Sequence, residues 1–169
     1  SERAFQTLTQ VAGRAGRGDD PGRVIMQTYT PEHRVIQAVK RHEYAGFVET
    51  ELAARAALNY PPSARLILLR LSSLDAAEVA VTAVQLASVC QEYIQRLSIP
   101  GCELLGPAPA AIMRVANRYR WQILLKLPLD ESVNLSDLIG LRDSLRDSFA
   151  SRTPRSVNLT IDVDPLNFG

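Results

Sequence analysis

The stretch Arg65-Leu66-Ile67-Leu68-Leu69-Arg70-Leu71 decides the fold of most of this 169-residue chain. Aliphatic residues occupy consecutive positions, so a strand formed here has two apolar faces. Such a strand lies in the middle of a sheet, where both faces are covered and both edges are paired. We therefore predict a central β-strand at 65–71, whose partner strands come from the flanking sequence.

The sequence after this strand predicts two helices and three further strands. Asp75-Ala-Ala-Glu78 has capping-box spacing and starts a long helix that Pro100-Gly101 ends. A short strand that begins at Glu103 runs into a proline-stiffened loop that includes Pro107 and Pro109. A hairpin over 111–127 turns near Ala116-Asn117, and a helix from Asn134 precedes a strand over 157–163. The apolar face of the first helix is predicted to carry Ala80, Val84, Ala87, Ile94 and Leu97. The order β-α-β-β-α-β predicts an α+β fold of the ferredoxin-like, split-βαβ plan for residues 63–169.

The second arm of the hairpin has an apolar and a basic face. Alternation predicts that one face carries Tyr119, Trp121, Ile123, Leu125 and Leu127, and the other Arg118, Arg120, Gln122 and Lys126. The aromatic residues share their face with aliphatic ones, so we interpret them as core residues rather than as a base-stacking platform. With Arg114, the basic residues Arg118, Arg120 and Lys126 are the candidate DNA-binding residues. A solvated strand face is the alternative.

The N-terminal segment contains a compact arginine motif, Gln10-Val-Ala-Gly13-Arg14-Ala-Gly16-Arg17. Arginine suits phosphate oxygens, and the glycines permit close backbone approach, so the motif is typical of a polyphosphate site. A flexible basic linker is the alternative. Apolar residues at Ala4, Leu8, Val11 and Ala15 predict a short helix before the arginines, and 24–29 predicts a buried strand after a turn at 19–22.

Residues 31–62 are predicted to form a helical connector. One helix is expected from Pro31 to about Lys40 and a second from about Glu43 to Leu58, with Pro61-Pro62 marking the boundary. His33 and His42 lie at a helix start and a helix junction, and we interpret them as surface histidines without a partner. The predicted organisation is therefore an α/β edge over 1–30, a connector over 31–62, and the ferredoxin-like domain over 63–169.

Composition narrows the classes of function. No apolar stretch approaches the roughly 20 residues that span a bilayer, and no signal peptide is visible, so no membrane partner is expected. Cys90 and Cys102 lack metal-ligand spacing and are expected to be free thiols in a reducing cytoplasm. No metal site is predicted, because Asp162 and Asp164 are better interpreted as solubilising charges than as cation ligands. A net charge of +1 means that DNA binding would require a local basic patch.

Two parts of the sequence resemble known helicases, one at the level of a superfamily and the other at the level of a family. The N-terminal motif resembles the last conserved motif of superfamily-two helicases. The order of the later motifs is similar to the C-terminal part of primosomal protein N′, the family of PriA-type replication-restart helicases. Those motifs are Tyr44-Ala-Gly-Phe47, Glu51-Leu52 with Arg55, Leu58-Asn-Tyr60-Pro61-Pro62, Leu105-Gly106-Pro107-Ala-Pro109, Tyr119-Arg-Trp121-Gln122 with Lys126, and Asp162-Val-Asp164-Pro165.

The resemblance implies an ATP-dependent 3′→5′ DNA helicase, acting in the bacterial cytoplasm, that recognises stalled forks and assembles the primosome. It implies Arg17 as the arginine finger, Arg14 as its support, Gln10 as the link to the lobe interface, and Gly13 and Gly16 as nucleotide contacts. It also implies forked and single-stranded DNA, single-stranded-DNA-binding protein and primosome components as partners, ATP and Mg²⁺ as cofactors, and zinc in a cysteine-rich insertion. This sequence contains no Walker loop and no Asp-Glu pair suited to Mg²⁺, so the chain alone is expected not to hydrolyse ATP.

Two other hypotheses remain open from the sequence. One is a stand-alone ferredoxin-like module that binds nucleic acid or protein, with the N-terminal motif as a basic tail. The other is a scaffold similar to a ribosomal protein, without a role in DNA metabolism.

Overall fold

The structure is a computed structural model that describes residues 2–15, 23–98, 100–129 and 135–165. The chain forms two compact units, residues 1–54 and 55–169. The division falls inside a helix, whereas the sequence predicts boundaries at 30 and 62.

The first unit is built from three helices, α1 (Glu2–Ala12), α2 (Arg34–Arg41) and α3 (Tyr44–Ala57), the last of which continues into the second unit. Its small core consists of buried Phe5, Val35, Ala38, Val39 and Phe47. The rings of Phe5 and Phe47 stack with centroids 4.5 Å apart, an arrangement that favours close aromatic packing. The two helices of the predicted connector are therefore confirmed.

His33 has a structural role that the sequence interpretation missed. Its Nδ1 accepts a hydrogen bond from the backbone N–H of Val35 at 3.3 Å, so the side chain caps the start of α2. His42 ends the same helix with a left-handed φ of 56° and is exposed. The prediction of a histidine without a partner is thus wrong for His33.

The buried strand predicted at 24–29 is also wrong. Residues 23–28 have no regular secondary structure, Ile25 is 83% exposed, and Tyr29 is fully exposed. Met26 alone of this run packs against the helical core. A strand needs a neighbour for its backbone hydrogen bonds, and the described part of this unit contains no other strand. In α1, Phe5 and Leu8 face the core, whereas Ala4 and Val11 are exposed, and Ala15 lies beyond the end of the helix.

The second unit contains the predicted four-stranded antiparallel sheet. Its strands are β1 (Ala64–Ser73), β2 (Glu103–Val115), β3 (Arg118–Pro128) and β4 (Asn158–Val163), in the order β2-β3-β1-β4. Helix α4 (Ala76–Leu97) joins β1 to β2, and α5 (Leu135–Arg152) joins β3 to β4. This connectivity confirms the α+β fold and its split-βαβ plan. The central position of β1 is confirmed as well, because it pairs with β3 on one side and β4 on the other.

The main core lies between one sheet face and the two helices. It contains Ile67, Leu69 and Leu71 of β1, Ile123, Leu125 and Leu127 of β3, Val79, Ala83, Leu86, Ala87 and Cys90 of α4, and Leu145 and Val157. Tyr119 and Trp121 pack against this core, as predicted. The buried face of α4 differs from the predicted one, since Val84 is 55% exposed and Ala80 is half-buried. Helical periodicity alone does not distinguish these small and β-branched residues until the position of the sheet is known.

The start of α4 follows half of the predicted capping box. The Asp75 side chain accepts from the backbone N–H groups of Ala77 and Glu78 at 2.8 and 3.0 Å, which satisfies two free donors of the first turn. The Glu78 carboxylate does not return to the Asp75 backbone. It accepts from the Ser73 hydroxyl at 2.9 Å and the Ser156 hydroxyl at 2.6 Å, and so joins the end of β1 to the segment before β4.

The second face of the sheet is partly covered by the segment that precedes β1. Lys126 is buried with only 6% exposure. Its Nζ donates to the Leu58 carbonyl at 2.9 Å, lies 3.6 Å from Glu103 Oε2, and lies 4.4 Å from the centroid of the Tyr60 ring. The lysine stem therefore fills space against the sheet while its ammonium is satisfied. The assignment of Lys126 to an open DNA-binding surface is corrected, because its charge points into the protein.

Asp162 and Asp164 are more than solubilising charges. Asp162 Oδ2 lies 3.2 Å from Arg70 Nη1. Asp164 forms an ion pair with Arg65 and accepts from the Leu66 backbone N–H at 3.0 Å. These contacts link β4 to β1, so the two carboxylates are structural, and no cluster that could hold a metal occurs among the described residues.

Both cysteine thiols are expected to be unreactive in the folded protein. Burial raises the pKa of Cys90 to about 12, and burial together with the Glu103 carboxylate raises the pKa of Cys102 to about 11. Because the thiolate is the reacting species, a disulfide reagent at pH 8 should modify both at least roughly 100-fold more slowly than in urea, with Cys102 ahead of Cys90. Equal rates in the native and denatured protein would contradict the burial of the thiols.

Replacing Lys126 should destabilise the second unit. Lys126→Met keeps the length of the stem but leaves the Leu58 carbonyl and Glu103 without their cation, at a cost of about 1–3 kcal/mol in urea unfolding. Lys40→Met removes an exposed lysine and should change stability by less than about 0.5 kcal/mol. An equal effect of the two substitutions would show that Lys126 has no anchoring role.

Candidate nucleic-acid interface

The candidate interface is the hairpin formed by β2 and β3. Its turn consists of Ala116 and Asn117, both with positive φ, 48° and 62°. Two consecutive left-handed residues are the geometry of a two-residue hairpin turn that matches the twist of the strands. The predicted turn position is therefore confirmed. The chain pairs again directly after it, Val115 with Arg118 and Arg114 with Tyr119.

Two irregularities interrupt the β2 side of this hairpin. The first lies between Leu105 and Ala108, where Gly106 has a φ of 95°. A Cβ at Gly106 would lie 2.8 Å from the Gln122 carbonyl oxygen, so both space and backbone conformation require glycine there. The second lies between the pairs Pro109–Trp121 and Arg114–Tyr119, where four residues of β2 face Arg120 alone. The proline-stiffened loop predicted before the hairpin is therefore wrong, because β2 continues as one strand from Glu103 to Val115 and contains Pro107 and Pro109.

Arg118 is held in place by the end of β1. Its Nη2 donates to the Ser72 carbonyl at 2.9 Å and to the Ser156 carbonyl at 3.2 Å, and its Nε donates to the Ser72 hydroxyl at 3.3 Å. Three acceptors fix the guanidinium across two segments of chain. Arg118 therefore contributes positive charge at this end of the sheet, but most of its donors are used within the protein.

Arg114 and Arg120 are the accessible cations of the predicted set. Arg114 is exposed, and its guanidinium carbon lies 5.0 Å from the centroid of the Tyr119 ring. Arg120 is half-buried, and within the described ranges its guanidinium makes no hydrogen bond or ion pair. A guanidinium with free donors on a strand face can bind phosphate oxygens. The DNA-binding role of both residues stays a prediction.

Another arginine of this sheet, Arg70 of β1, is paired with Asp162 at 3.2 Å. Because Asp162 neutralises Arg70, the free positive charge on the sheet face opposite the helices lies on the hairpin and not on β1 or β4. The sequence predicts Asp162 and Arg70 on separate strands but does not by itself predict their pairing. The signal was present in the sequence, since both residues lie on the face opposite the aliphatic core positions.

The structure places part of the arginine motif at the end of α1. Gln10 is exposed in the last turn, and Gly13 donates from its backbone N–H to the Thr9 carbonyl at 2.9 Å. Arg14 is exposed in the turn that follows, with its backbone N–H 3.2 Å from the Val11 carbonyl. Gly16 and Arg17 lie outside the described residues, as does the predicted turn at 19–22. The nucleotide role of the motif therefore stays a prediction.

An open groove of about 690 Å³ lies beside Gly13 in the first unit. Its walls combine aliphatic residues, among them Ile25 and Ile36, with the basic side chains of Arg23 and Lys40. Ile25 in this wall is largely exposed. No helix in the described part of the chain is long and apolar enough to cross a membrane.

Comparison with known proteins gives the family. The model of the family described as "Primosomal protein N C-terminal domain" matches residues 56–166, about two thirds of this chain. The chain is 50% identical over 167 residues to replication restart protein PriA of Synechocystis, covering 99% of this chain and 18% of the relative. It is 38% identical over 165 residues to the Bacillus subtilis protein of that name, covering 98% and 20%.

Replication restart protein PriA of Haemophilus influenzae is 32% identical over 168 residues, covering 97% of this chain and 21% of the relative. The chain thus spans about a fifth of the length of these relatives. The match fits the interpretation of the chain as part of a replication-restart protein and not the stand-alone module. The chain belongs to the family of the primosomal protein N C-terminal domain and is similar to the C-terminal portion of PriA-type replication restart proteins.

Proposed function

We propose that this chain is the C-terminal part of an ATP-dependent 3′→5′ DNA helicase that recognises stalled replication forks and assembles the primosome. The match of residues 56–166 to the family domain is the observation that carries the proposal. The similarity to relatives named replication restart protein PriA extends over almost the whole chain, including the arginine motif. Forked and single-stranded DNA, single-stranded-DNA-binding protein and primosome components are the proposed partners.

The proposed contribution to ATP hydrolysis is an arginine finger. Arg17 would neutralise charge on the γ-phosphate, Arg14 would support it, Gln10 would connect the nucleotide to the lobe interface, and Gly13 and Gly16 would allow close approach. The exposure of Gln10, Gly13 and Arg14 at the end of α1 supports this, because an approaching lobe can reach them.

The nucleotide and the metals require residues from outside this sequence. The sequence has no phosphate-binding loop, so ATP and Mg²⁺ would be held by the RecA-like lobes of the intact protein. Two cysteines, one of them fully buried, do not make a zinc site, so zinc would belong to the cysteine-rich insertion of the intact protein.

The proposed contribution to DNA binding comes from the hairpin. Arg114 is exposed and Arg120 has no partner in the described structure, so both have donors for phosphate oxygens. Arg118 adds positive potential but keeps its contacts to Ser72 and Ser156. No acidic residue occurs from Leu104 to Leu129, so nothing in this stretch of sequence neutralises the arginines.

One test of the proposed function concerns ATP hydrolysis. The chain alone should not hydrolyse ATP, whereas a chimera in which it replaces the corresponding segment of the Synechocystis relative should hydrolyse ATP in the presence of forked DNA. In that chimera, Arg17→Ala should lower kcat by roughly 10³-fold or more, because the charge on the transferring phosphoryl group is no longer neutralised. Steady-state phosphate release measures both results.

Arg146→Ala is the matched control in the same chimera, since Arg146 is an exposed arginine on α5. It should leave kcat unchanged. An Arg17→Ala chimera as active as the unsubstituted one would exclude the arginine-finger assignment.

Another test concerns DNA. Arg114→Ala/Arg120→Ala should weaken binding of the chain to forked DNA and reduce the slope of log K against log salt by about 1 for each lost phosphate contact. Fluorescence anisotropy over a salt series measures both. Arg41→Ala/Arg146→Ala removes the same charge from exposed helical positions and should have little effect on the slope. Equal slopes for the two double variants would remove the hairpin from the interface.

A further inference from the structure

Three apolar side chains of β2 close to the hairpin turn are exposed. Ile112 and Met113 are each 57% exposed, and Val115 is 46% exposed. Ile112 and Met113 lie in the stretch 110–113 of β2, which opposes Arg120 alone and forms no ladder pair, whereas Val115 pairs with Arg118 next to the turn. Clustered exposed aliphatic residues on a rigid hairpin mark a binding surface more often than single exposed residues do.

The surrounding charge indicates what this surface binds. The bulge is flanked by Arg114 and faces Arg120, and Arg118 lies at the start of the opposing strand. Since 104–129 contains no acidic residue, the formal charges that this stretch places near Ile112 and Met113 are all positive. A polyanion with apolar faces complements both properties. The same hairpin of a second copy does not, because two arginine-rich hairpins repel each other.

We propose that Ile112 and Met113 form an apolar wedge that stacks on the base pair left exposed at a DNA branch point. Isoleucine and methionine are among the side chains that proteins insert against base steps, where they replace lost base stacking. The nearby arginines would bind the phosphates on either side, which holds Ile112 and Met113 at the branch point. The inference rests on the proposed function and adds to it the structure in DNA that the hairpin contacts.

The wedge and the arginines make separable contributions. Stacking depends on an accessible base face and little on salt, whereas phosphate contacts depend strongly on salt. The wedge therefore distinguishes a branch, where a terminal base pair is accessible, from a continuous duplex, where it is not. The arginines bind both.

The test compares forked DNA with continuous duplex of equal length. The probe is 2-aminopurine, placed at the branch nucleotide or in the middle of an arm, and the protein is the full 169-residue chain. Binding should change the fluorescence at the branch position only. Ile112→Ser/Met113→Ser should abolish this change and weaken fork binding by roughly tenfold, with duplex affinity altered less than about twofold and the salt slope unchanged.

Val81→Ser/Val84→Ser is the matched control, because these two valines of α4 are 57% and 55% exposed. It should bind forks as the unsubstituted chain does, and both double variants should unfold at the same temperature as the parent chain. A wedge variant that keeps the branch signal and the fork preference overturns the inference, while loss of binding in Arg114→Ala/Arg120→Ala would still support the proposed function.

Two further results would overturn the inference in different ways. If the unsubstituted chain binds no DNA, the proposed function of the hairpin fails together with the wedge. If light scattering shows that the wedge substitutions convert a dimer to a monomer while DNA binding stays intact, Ile112 and Met113 form a contact between copies of the chain.

Discussion

The burial of β1 on both faces is the constraint on which the second unit depends. Ile67 is fully buried against α4 and α5, while Leu68, on the opposite face, is only 1% exposed. One layer of helices can cover only one side of a sheet, so the other side needs a different cover. Near Lys126, the segment before β1 supplies it through a hydrogen bond to the Leu58 carbonyl. The stem of Lys126 and the segment before β1 thus cover part of the sheet face that a fold with a single helical layer would leave exposed.

The same constraint determines where free charge remains on the second unit. β1 carries Arg65 and Arg70 within its apolar sequence, and each pairs with an aspartate of the C-terminal segment, Asp164 and Asp162 respectively. Because of this pairing, neither partly buried arginine is left without an opposite charge in the sheet. The remaining accessible arginine side chains of the sheet are therefore concentrated on the hairpin. Local neutralisation along the central strand, rather than an excess of basic residues, produces the basic region in a chain of net charge +1.

The features predicted correctly from the sequence are those that local chemistry determines. The aliphatic run of β1, the Asp75 cap and the turn at Ala116-Asn117 depend on residues within a few positions of each other. The failures depend on distant residues. Whether 24–29 forms a strand depends on a neighbouring strand, and the environment of Lys126 depends on a segment 68 residues away. Alternation could assign Lys126 to a face but could not reveal what covers that face.

The bulge opposite Arg120 also separates two demands on the hairpin. Residues that pair in a ladder contribute to the stability of the sheet, and substitutions there affect both the fold and whatever the fold binds. The bulged residues lie outside the ladder, between the pairs Pro109–Trp121 and Arg114–Tyr119. Two of them, Ile112 and Met113, are each 57% exposed, so substitutions there should disturb the four strands little, whereas Ala110 is buried. The hairpin can therefore present different side chains at positions 112 and 113 on one unchanged scaffold.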